Sequence, residues 1–267
     1  MIGQSPFLLL MRLRLFCLTA LCLMGVSLVP AQAAREKTHS IYHKGWIDFN
    51  KNGVKDVYED PARSVEERVE DLLGQMTMEE KTCQLVTVYG YGRVLPWALP
   101  APEWKERIWK DGIANIDEHL NGVGKGYTDH YDLIYPFSNH VKALHEGQKF
   151  FVEETRLGIP AEFTNEGIHG LNHTLATPLP APIAIGSTWD RALVRQAGEI
   201  AGEEARLIGY HSVYAPILDV ARDQRWGRTV ESYGEDPYLV AELGTEMAGG
   251  VQSHGVASCL KHFAAYS

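Results

Sequence analysis

Strand-like and helix-like segments alternate from residue 137 onward, and this alternation constrains the fold more than any other feature of the sequence. The predicted elements are, in chain order, a helix over 138–156, a strand over 159–163, a helix over 190–207, a strand over 213–218, a helix over 237–252 and a strand over 256–263. Strands that alternate with helices of this length form parallel βαβ units, because parallel neighbours need a long crossover connection. The sequence therefore predicts an α/β fold with a parallel sheet.

Polar side chains accompany the end of each predicted strand. Asn165 and Glu166 come after the first strand, Asp219 opens the segment after the second, and Lys261 and His262 lie at the end of the third. In α/β barrels and open α/β sheets alike, the carboxyl ends of the strands carry the functional site. We therefore expect these side chains to converge.

The segment Asp219–Tyr238, DVARDQRWGRTVESYGEDPY, is unusually dense in charge. Around single glycines it packs the acids Asp219, Asp223, Glu231 and Glu235 and the arginines Arg222, Arg225 and Arg228. Buried ions need partners, so charge of this density is hard to explain by packing and indicates a site. Arg228 is the arginine that we expect to bind a ligand, and the alternative is a structural pair with Glu231 or Asp223.

Two of the three further candidates have structural alternatives. A lysine at the end of an apolar strand is rarely tolerated without a partner, so Lys261 indicates function. His262 could instead be a core histidine with satisfied hydrogen bonds, and Glu166 could cap a loop. Together, such acids and donors could hold a polyhydroxylated ligand through charge-assisted hydrogen bonds.

The first 33 residues have the pattern of a secretory signal peptide. Arg12 and Arg14 precede an apolar run over 15–29, and the sequence AQA at 31–33 supplies a small-x-small cleavage site. A membrane anchor is the weaker alternative, because a spanning helix needs about 20 apolar residues. The sequence thus predicts a periplasmic or secreted protein without stable membrane insertion after cleavage.

The charge balance argues against nucleic acid as a partner. The formal net charge is −9, and loss of the leader with its two arginines makes it −11. Nucleic-acid binding depends on neutralising phosphates, so an acidic exported protein suits a neutral substrate better. Cys83 and Cys259 would remain in the mature chain, and we expect buried small hydrophobic residues or, alternatively, one disulfide bridge.

Residues 48–59 match a calcium-loop pattern at every fixed position. The predicted ligands are Asp48, Asn50, Asn52, Val54, Asp56 and Glu59. Oxygens at this spacing can surround a hard cation, and Gly53 permits the sharp turn. No clear helix precedes the loop, so the alternative is a polar turn before a helix. Structural calcium is expected here, whereas His169 and His173 lack the HExxH context of a transition-metal site.

Three motifs occur in one order: NEGIHG at 165–170, RWGR at 225–228 with ESYGEDP at 231–237, and KHFAAY at 261–266. In this order they resemble glycoside hydrolase family 3, and the resemblance covers roughly residues 64–267. The similar members are exported bacterial β-glucosidases and β-xylosidases. The expected domains are a signal peptide at 1–33, a lead with the calcium loop at 34–63 and a partial barrel domain at 64–267.

The resemblance implies a TIM-type (β/α)8 barrel followed by an α/β sandwich domain, and retaining hydrolysis of terminal, non-reducing β-linked sugars without a cofactor for the chemistry. The expected substrates are oligosaccharides and aryl or alkyl β-glycosides. A full barrel takes about 250 residues, so we expect an incomplete barrel of about five βα units. In the family the nucleophile and acid/base follow the Lys-His motif, so both are expected beyond residue 267 and this chain alone is expected to be inactive.

By motif, Arg228, Lys261 and His262 resemble the family residues that hold hydroxyl groups of the non-reducing sugar. Glu166 stands where many β-glucosidases of the family carry an aspartate, and members with glutamate resemble the β-xylosidase and α-L-arabinofuranosidase branch. Our hypothesis is that its extra methylene crowds the space for a C6 hydroxymethyl group. The alternatives are thus β-xylosidase or α-L-arabinofuranosidase specificity, or a non-catalytic secreted carbohydrate-binding module.

Overall fold

The computed structural model describes residues 40–90, 99–105, 110–121, 137–263 and 266. The predicted signal peptide at 1–33 lies outside the described residues. Within the described ranges, no helix is long and apolar enough to cross a membrane. The segment Ser40–Ser267 forms one compact unit, so from Ser40 onward the predicted lead shares a unit with the helices and strands that follow it.

A parallel sheet of five strands organises this part of the chain. An antiparallel hairpin of β1 (Tyr42–His43) and β2 (Trp46–Ile47) precedes it, and its strands are β3 (Thr87–Tyr89), β4 (Asn115–Asp117), β5 (Glu162–Glu166), β6 (Ser212–Tyr214) and β7 (Ala257–Ser258). The sheet order is β3-β4-β5-β6-β7, and every neighbouring pair is parallel. A doubly wound sheet reverses its strand order, whereas strands in unbroken chain order are typical of a (β/α) barrel. The predicted α/β fold with a TIM-type parallel sheet is confirmed.

The helices begin and end at residues that the sequence marks. They are α1 (Val65–Gln75), α2 (Met78–Cys83), α3 (Phe137–Glu154), α4 (Pro182–Gly186), α5 (Arg191–Ile208) and α6 (Pro237–Gln252). Ser64 and Thr77 form capping boxes with the glutamates three residues later. Asp190 caps the start of α5, and Gly209 closes its end with a φ of 104°. The predicted bounds of α3, α5 and α6 hold to within two residues.

The strand at 162–166 lies three residues later than the prediction of 159–163. Pro160 has no N–H to donate, and the side-chain amide of Gln148 binds both backbone groups of Ala161, at 3.0 and 2.9 Å. The ladder with β4 therefore starts at the next residue. Asn165 and Glu166 are consequently the last residues of β5 and not the loop after it.

The other strands also differ from prediction. β6 and β7 are shorter than predicted, and among the described residues an isolated bridge between Ile217 and Lys261 continues their pairing. β3 and β4 were not predicted from the sequence. In β4 the buried side chains of Asn115 and Asp117 flank Ile116, so the apolar pattern that marks a strand is missing.

Helices α5 and α6 pack through glycine. A Cβ atom at Gly198 would lie 2.4 Å from the carbonyl oxygen of Met247, and one at Gly202 would lie 2.6 Å from that of Val251. These distances leave no room for a side chain, so the two helix backbones meet directly. The apolar core beneath them includes Val194, Ala201, Val213, Leu243 and Val251.

The two cysteines of the described residues are free thiols. Cys83 is half-buried, while Cys259 is exposed just after β7 and donates its backbone N–H to Val213. The prediction of two buried cysteines is therefore wrong for Cys259, because β7 ends one residue earlier, at Ser258.

Candidate active site

Side chains from the carboxyl ends of neighbouring strands meet at one edge of the sheet. Asp117 ends β4, Glu166 ends β5, Tyr214 ends β6, and Lys261 follows β7 at the bridge to Ile217. All are brought together by the parallel strand order, since parallel strands present their carboxyl ends on one side. The predicted convergence of Glu166 with Lys261 is thus observed.

Lys261 forms an ion pair with Glu166. Its Nζ atom lies 2.6 Å from Glu166 Oε2 and 5.8 Å from the centre of the Tyr214 ring. The lysine side chain is 11% exposed and that of the glutamate 30%, so the pair is open on one side. An ammonium group has three donors and a carboxylate two oxygens, so the pair retains capacity for a ligand. Glu166 is therefore the partner of a largely buried cation rather than a loop cap.

Arg228 is held from two sides. Its Nε atom donates to both oxygens of Glu231, at 2.9 and 3.0 Å, and its Nη1 atom lies 2.9 Å from His262 Nε2. The Tyr266 ring centre is 5.6 Å from the guanidinium carbon. Hydrogen bonds to Glu231 raise the pKa of Arg228 above its usual value. Of the two partners considered from the sequence, Glu231 is the observed one, since Asp223 pairs with Arg225 on the surface.

His262 is not a core histidine. Its side chain is 27% exposed, and its ring lies 4.5 Å from that of Tyr266. The Nδ1 atom lies 2.7 Å from Oδ2 of the buried Asp219. The peptide bond that joins it to Lys261 is cis. Because Lys261 and His262 are consecutive in the chain, the Lys261–Glu166 pair and the His262–Arg228 pair are neighbours, and the four predicted binding residues lie together.

The charge-dense segment is fastened to its surroundings by backbone contacts. The buried Ser232 donates its hydroxyl to the Asp219 carbonyl at 2.6 Å, and Ala221 N–H donates to the Gly234 carbonyl at 3.0 Å. A Cβ atom at Gly186 in α4 would lie 2.3 Å from the Tyr233 carbonyl oxygen. Two arginines of the segment, Arg222 and Arg225, are exposed. The inner part of the segment is thus fixed in place while its outer turn faces solvent.

Asp117 was not singled out from the sequence. It is 2% exposed, and the Thr164 hydroxyl donates to its Oδ1 at 3.0 Å. Burial raises its pKa to about 7, helped by the charges of Glu118 and Glu166 and opposed by the Thr164 hydrogen bond and Lys261. The available signal was an acid directly after Ile116, but without a predicted strand at 115–117 it did not mark a strand end.

A cleft of about 600 Å³ is lined by the carboxylate partners of Lys261 and Arg228. Glu166 and Glu231 line it together with His169, which is exposed. This volume is within the usual range for a small-molecule site. Asn165, expected at the site, is buried instead and accepts a hydrogen bond from Asn172 N–H at 2.8 Å, so it supports the wall of the cleft.

His173, four residues after His169, packs against another histidine. It is buried, accepts a hydrogen bond from Leu175 N–H at 3.0 Å, and its ring lies 5.0 Å from that of His140. Burial and the His140 ring lower its pKa to about 4. Among the described residues, no group of three or more His, Cys, Asp or Glu side chains is placed to hold a metal ion.

The predicted calcium loop is closed by its own N–H groups. Asp48 accepts from Asn52 and Gly53 at 3.1 and 2.8 Å, and Glu59 accepts from Phe49 at 2.6 Å. Further bonds run from Asn50 and Asn52 side chains to Asp56, at 2.6 and 2.8 Å, and from Asp56 N–H to Glu59 at 3.0 Å. The oxygen donors suit calcium in kind, but both amide groups turn their nitrogens toward Asp56. Calcium binding at these positions and at Val54 stays a prediction.

The chain is similar to known glycosidases over most of its described length. A family model described as "Glycosyl hydrolase family 3 N terminal domain" matches residues 77–267. A putative β-xylosidase of Formosa agariphila is 31% identical over 225 residues, which is 78% of this chain and 28% of that protein. A periplasmic β-glucosidase of Salmonella typhimurium is 36% identical over 204 residues, 74% of this chain and 23% of that protein.

Solved structures agree with these similarities. A mutant β-glucosidase from Listeria innocua in complex with laminaribiose has a TM-score of 0.59 at 28% identity, over 76% of this chain and 27% of that one. A β-glucosidase from Erythrobacter marinus has a TM-score of 0.64 at 26% identity, over 78% of this chain and 27% of that one. The chain thus spans about a quarter of the length of these relatives.

Proposed function

Because the chain belongs to glycoside hydrolase family 3, we propose that it carries the sugar-binding side of a site that hydrolyses terminal, non-reducing β-linked sugars. The substrates would be oligosaccharides and aryl or alkyl β-glycosides. The observation that carries the proposal is the convergence of Glu166, Lys261, Arg228 and His262, with Glu166 lining a cleft.

These side chains suit sugar hydroxyl groups. Lys261 and Arg228 are charged donors, Glu166 is a charged acceptor with its side chain 30% exposed, and His262 can donate or accept. A hydroxyl group both donates and accepts hydrogen bonds, so a sugar ring with several hydroxyl groups can bind these donors and acceptors together. The sugar-binding relatives support this role, since one of them is complexed with laminaribiose.

The proposed reaction is a retaining double displacement. One carboxylate attacks the anomeric carbon as the glycosidic bond breaks, and a second carboxyl group gives its proton to the leaving oxygen. That second group then takes a proton from water, which attacks the glycosyl intermediate and frees the first carboxylate. We assign neither role to a residue of this sequence.

The test compares variants of the protein made from its complete coding sequence on aryl β-glycosides. Lys261→Met should lower kcat/KM on the order of 100-fold or more, because a charged donor aimed at the substrate is lost. Asp223→Asn, in the exposed turn of the Asp219–Tyr238 segment, is the control and should stay within about twofold. Thermal unfolding checks that both variants fold.

Two outcomes would contradict the proposal. Unchanged kcat/KM in Lys261→Met would remove the lysine from the site. Saturable binding of oligosaccharides with no hydrolysis of any glycoside would favour the alternative, a non-catalytic secreted carbohydrate-binding module.

Substrate choice is the finer part of the proposal. Glu166 reaches about one methylene further than aspartate, and both β-xylosidases and β-glucosidases occur among the relatives. We propose β-glucosidase-type activity, with β-xylosidase or α-L-arabinofuranosidase specificity as the alternative that Glu166 favours. Rates on aryl β-xyloside and aryl β-glucoside decide between them, and a strong glucoside preference would remove the alternative. A relative named as periplasmic supports export to the periplasm or beyond.

A further inference from the structure

Asp219, His262 and Arg228 form a series of hydrogen bonds whose direction is set from both ends, by the arginine at Nε2 and by the aspartate at Nδ1. A guanidinium group has only donors, so His262 Nε2, which lies 2.9 Å from Arg228 Nη1, has to be the acceptor. A neutral imidazole then carries its proton on the other ring nitrogen. That nitrogen, Nδ1, lies 2.7 Å from Asp219 Oδ2.

The carboxylate of Asp219 matches this requirement. It has only acceptor atoms, so it pairs with a protonated Nδ1 and not with a bare one. The same Oδ2 atom also lies 3.2 Å from the backbone N–H of His262, and the Asp219 carbonyl is held by Ser232 at 2.6 Å. The backbone of Asp219 is therefore held by Ser232, and its carboxylate accepts hydrogen bonds from both the ring and the main chain of His262.

The opposite tautomer of His262 would break both of these hydrogen bonds. A proton on Nε2 would face the N–H of Arg228, donor against donor, and a bare Nδ1 would face a carboxylate. Arg228 would then keep its contacts with Glu231 and lose its second support. The Asp219 side chain is 4% exposed, so it acts on a ligand only through its neighbours.

We propose that Asp219 is a positioning residue, which holds the proton of His262 on Nδ1 and thereby fixes Arg228 for contact with the sugar. The part of this inference that concerns the sugar rests on the proposed function. The part that concerns the histidine stands on the geometry alone, so the two can be tested apart.

The first test reads the histidine directly. Nitrogen-15 spectra of histidine-labelled protein distinguish a protonated from a bare ring nitrogen, and the variant His262→Gln identifies the signal. We expect a protonated Nδ1 and a bare Nε2 at neutral pH. Asp219→Ala should shift the proton to Nε2 in a large share of the molecules. Asp219→Asn should retain the native form, because its amide oxygen still accepts.

Asp223→Asn is the matched control, since this exposed carboxylate pairs with Arg225 in the same segment. Its His262 signal should equal that of the unaltered protein. A proton on Nε2 in the unaltered protein, or an unchanged signal in Asp219→Ala, would overturn the proposal.

The second test measures hydrolysis by the protein made from the complete coding sequence. Asp219→Ala should lower kcat/KM on the order of 100-fold, the cost of a misplaced binding group, and Asp219→Asn should restore much of it. Full activity in Asp219→Ala despite a shifted proton would overturn the positioning role. Absence of hydrolysis in the unaltered protein would contradict the proposed function instead, and the histidine spectra would still decide the proton position.

Discussion

At the scale of the single residue, Asp117 holds a carboxyl group in a buried place beside two other acids. Its pKa of about 7 means that the folded chain keeps this proton at pH values where the unfolded chain has lost it. The protonated Asp117 therefore makes its full contribution to the free energy of unfolding below the usual aspartate pKa, near 4, and this contribution is lost as the pH rises to about 7.

Asp117→Asn should remove this loss of stability at high pH. The amide mimics the protonated acid and can still accept from Thr164, so we expect little change at pH 4 and a gain on the order of 1 to 3 kcal/mol in the free energy of unfolding at pH 8. Urea unfolding at both pH values measures it. Asp223→Asn, which removes an exposed carboxylate, should give no gain at pH 8. Equal stability of Asp117→Asn and the unaltered protein at pH 8 would refute the prediction.

Glu166 offers a residue-scale test of specificity. Shortening it to aspartate frees about one methylene of space, which is worth roughly 10- to 200-fold in discrimination. Glu166→Asp should raise the ratio of glucoside to xyloside kcat/KM by about tenfold. The control Asp223→Glu changes a carboxylate by the same methylene on the surface and should leave the ratio unchanged. A ratio unmoved in Glu166→Asp would show that this side chain does not limit the sugar.

At the scale of the element, the α5–α6 pair depends on backbone contact. A methyl group at Gly202 meets the Val251 carbonyl, so Gly202→Ala should cost about 1 to 3 kcal/mol of stability through overpacking. The control is Gly74→Ala in α1, where nothing lies within 4 Å and helix propensity should add up to about 1 kcal/mol. Thermal or urea unfolding measures both. A stabilised Gly202→Ala would mean that the helices separate easily.

The loop at 48–59 gives a second element-scale prediction. Titration calorimetry with calcium should show heat and a rise in thermal stability, because three carboxylates and two amides supply hard oxygen donors. Asp56→Asn should weaken binding, whereas Asp60→Asn, just past the loop and paired with Lys55, should not. No heat and no thermal shift would leave the loop as the polar turn that its internal hydrogen bonds already form.

Helix ends could be predicted better than strand ends, because helix caps are local interactions and strand ends depend on long-range contacts. Ser64, Thr77 and Asp190 are N-caps, and such caps can be recognised from a few neighbouring residues of the sequence. Strand ends depend on long-range competition, as when Gln148 binds the backbone of Ala161 and delays β5. The motifs marked Glu166, Arg228, Lys261 and His262, which the structure brings together. Asp117 was not predicted, because β4 buries polar side chains and lacks the apolar pattern of a strand.

At the scale of the whole molecule, the predicted signal peptide at 1–33 gives a prediction about the mature protein. If the chain is exported with its own first residues, cleavage after position 33 should give a mature protein that begins at Ala34. Mass spectrometry of the protein recovered from the periplasm or medium measures this. A full-length amino terminus retained in the membrane fraction would favour the anchor instead.

The ion pair between Glu166 and Lys261 joins positions 95 residues apart. A ribosome that has just completed β5 has therefore made the acids of the sheet edge, Asp117 and Glu166, long before their cation. Contacts of such separation form late, after the intervening loops have closed. The nascent protein therefore passes through a stage in which Glu166 has no lysine partner, and β7, which is synthesised after β5, brings the cation that completes the pair.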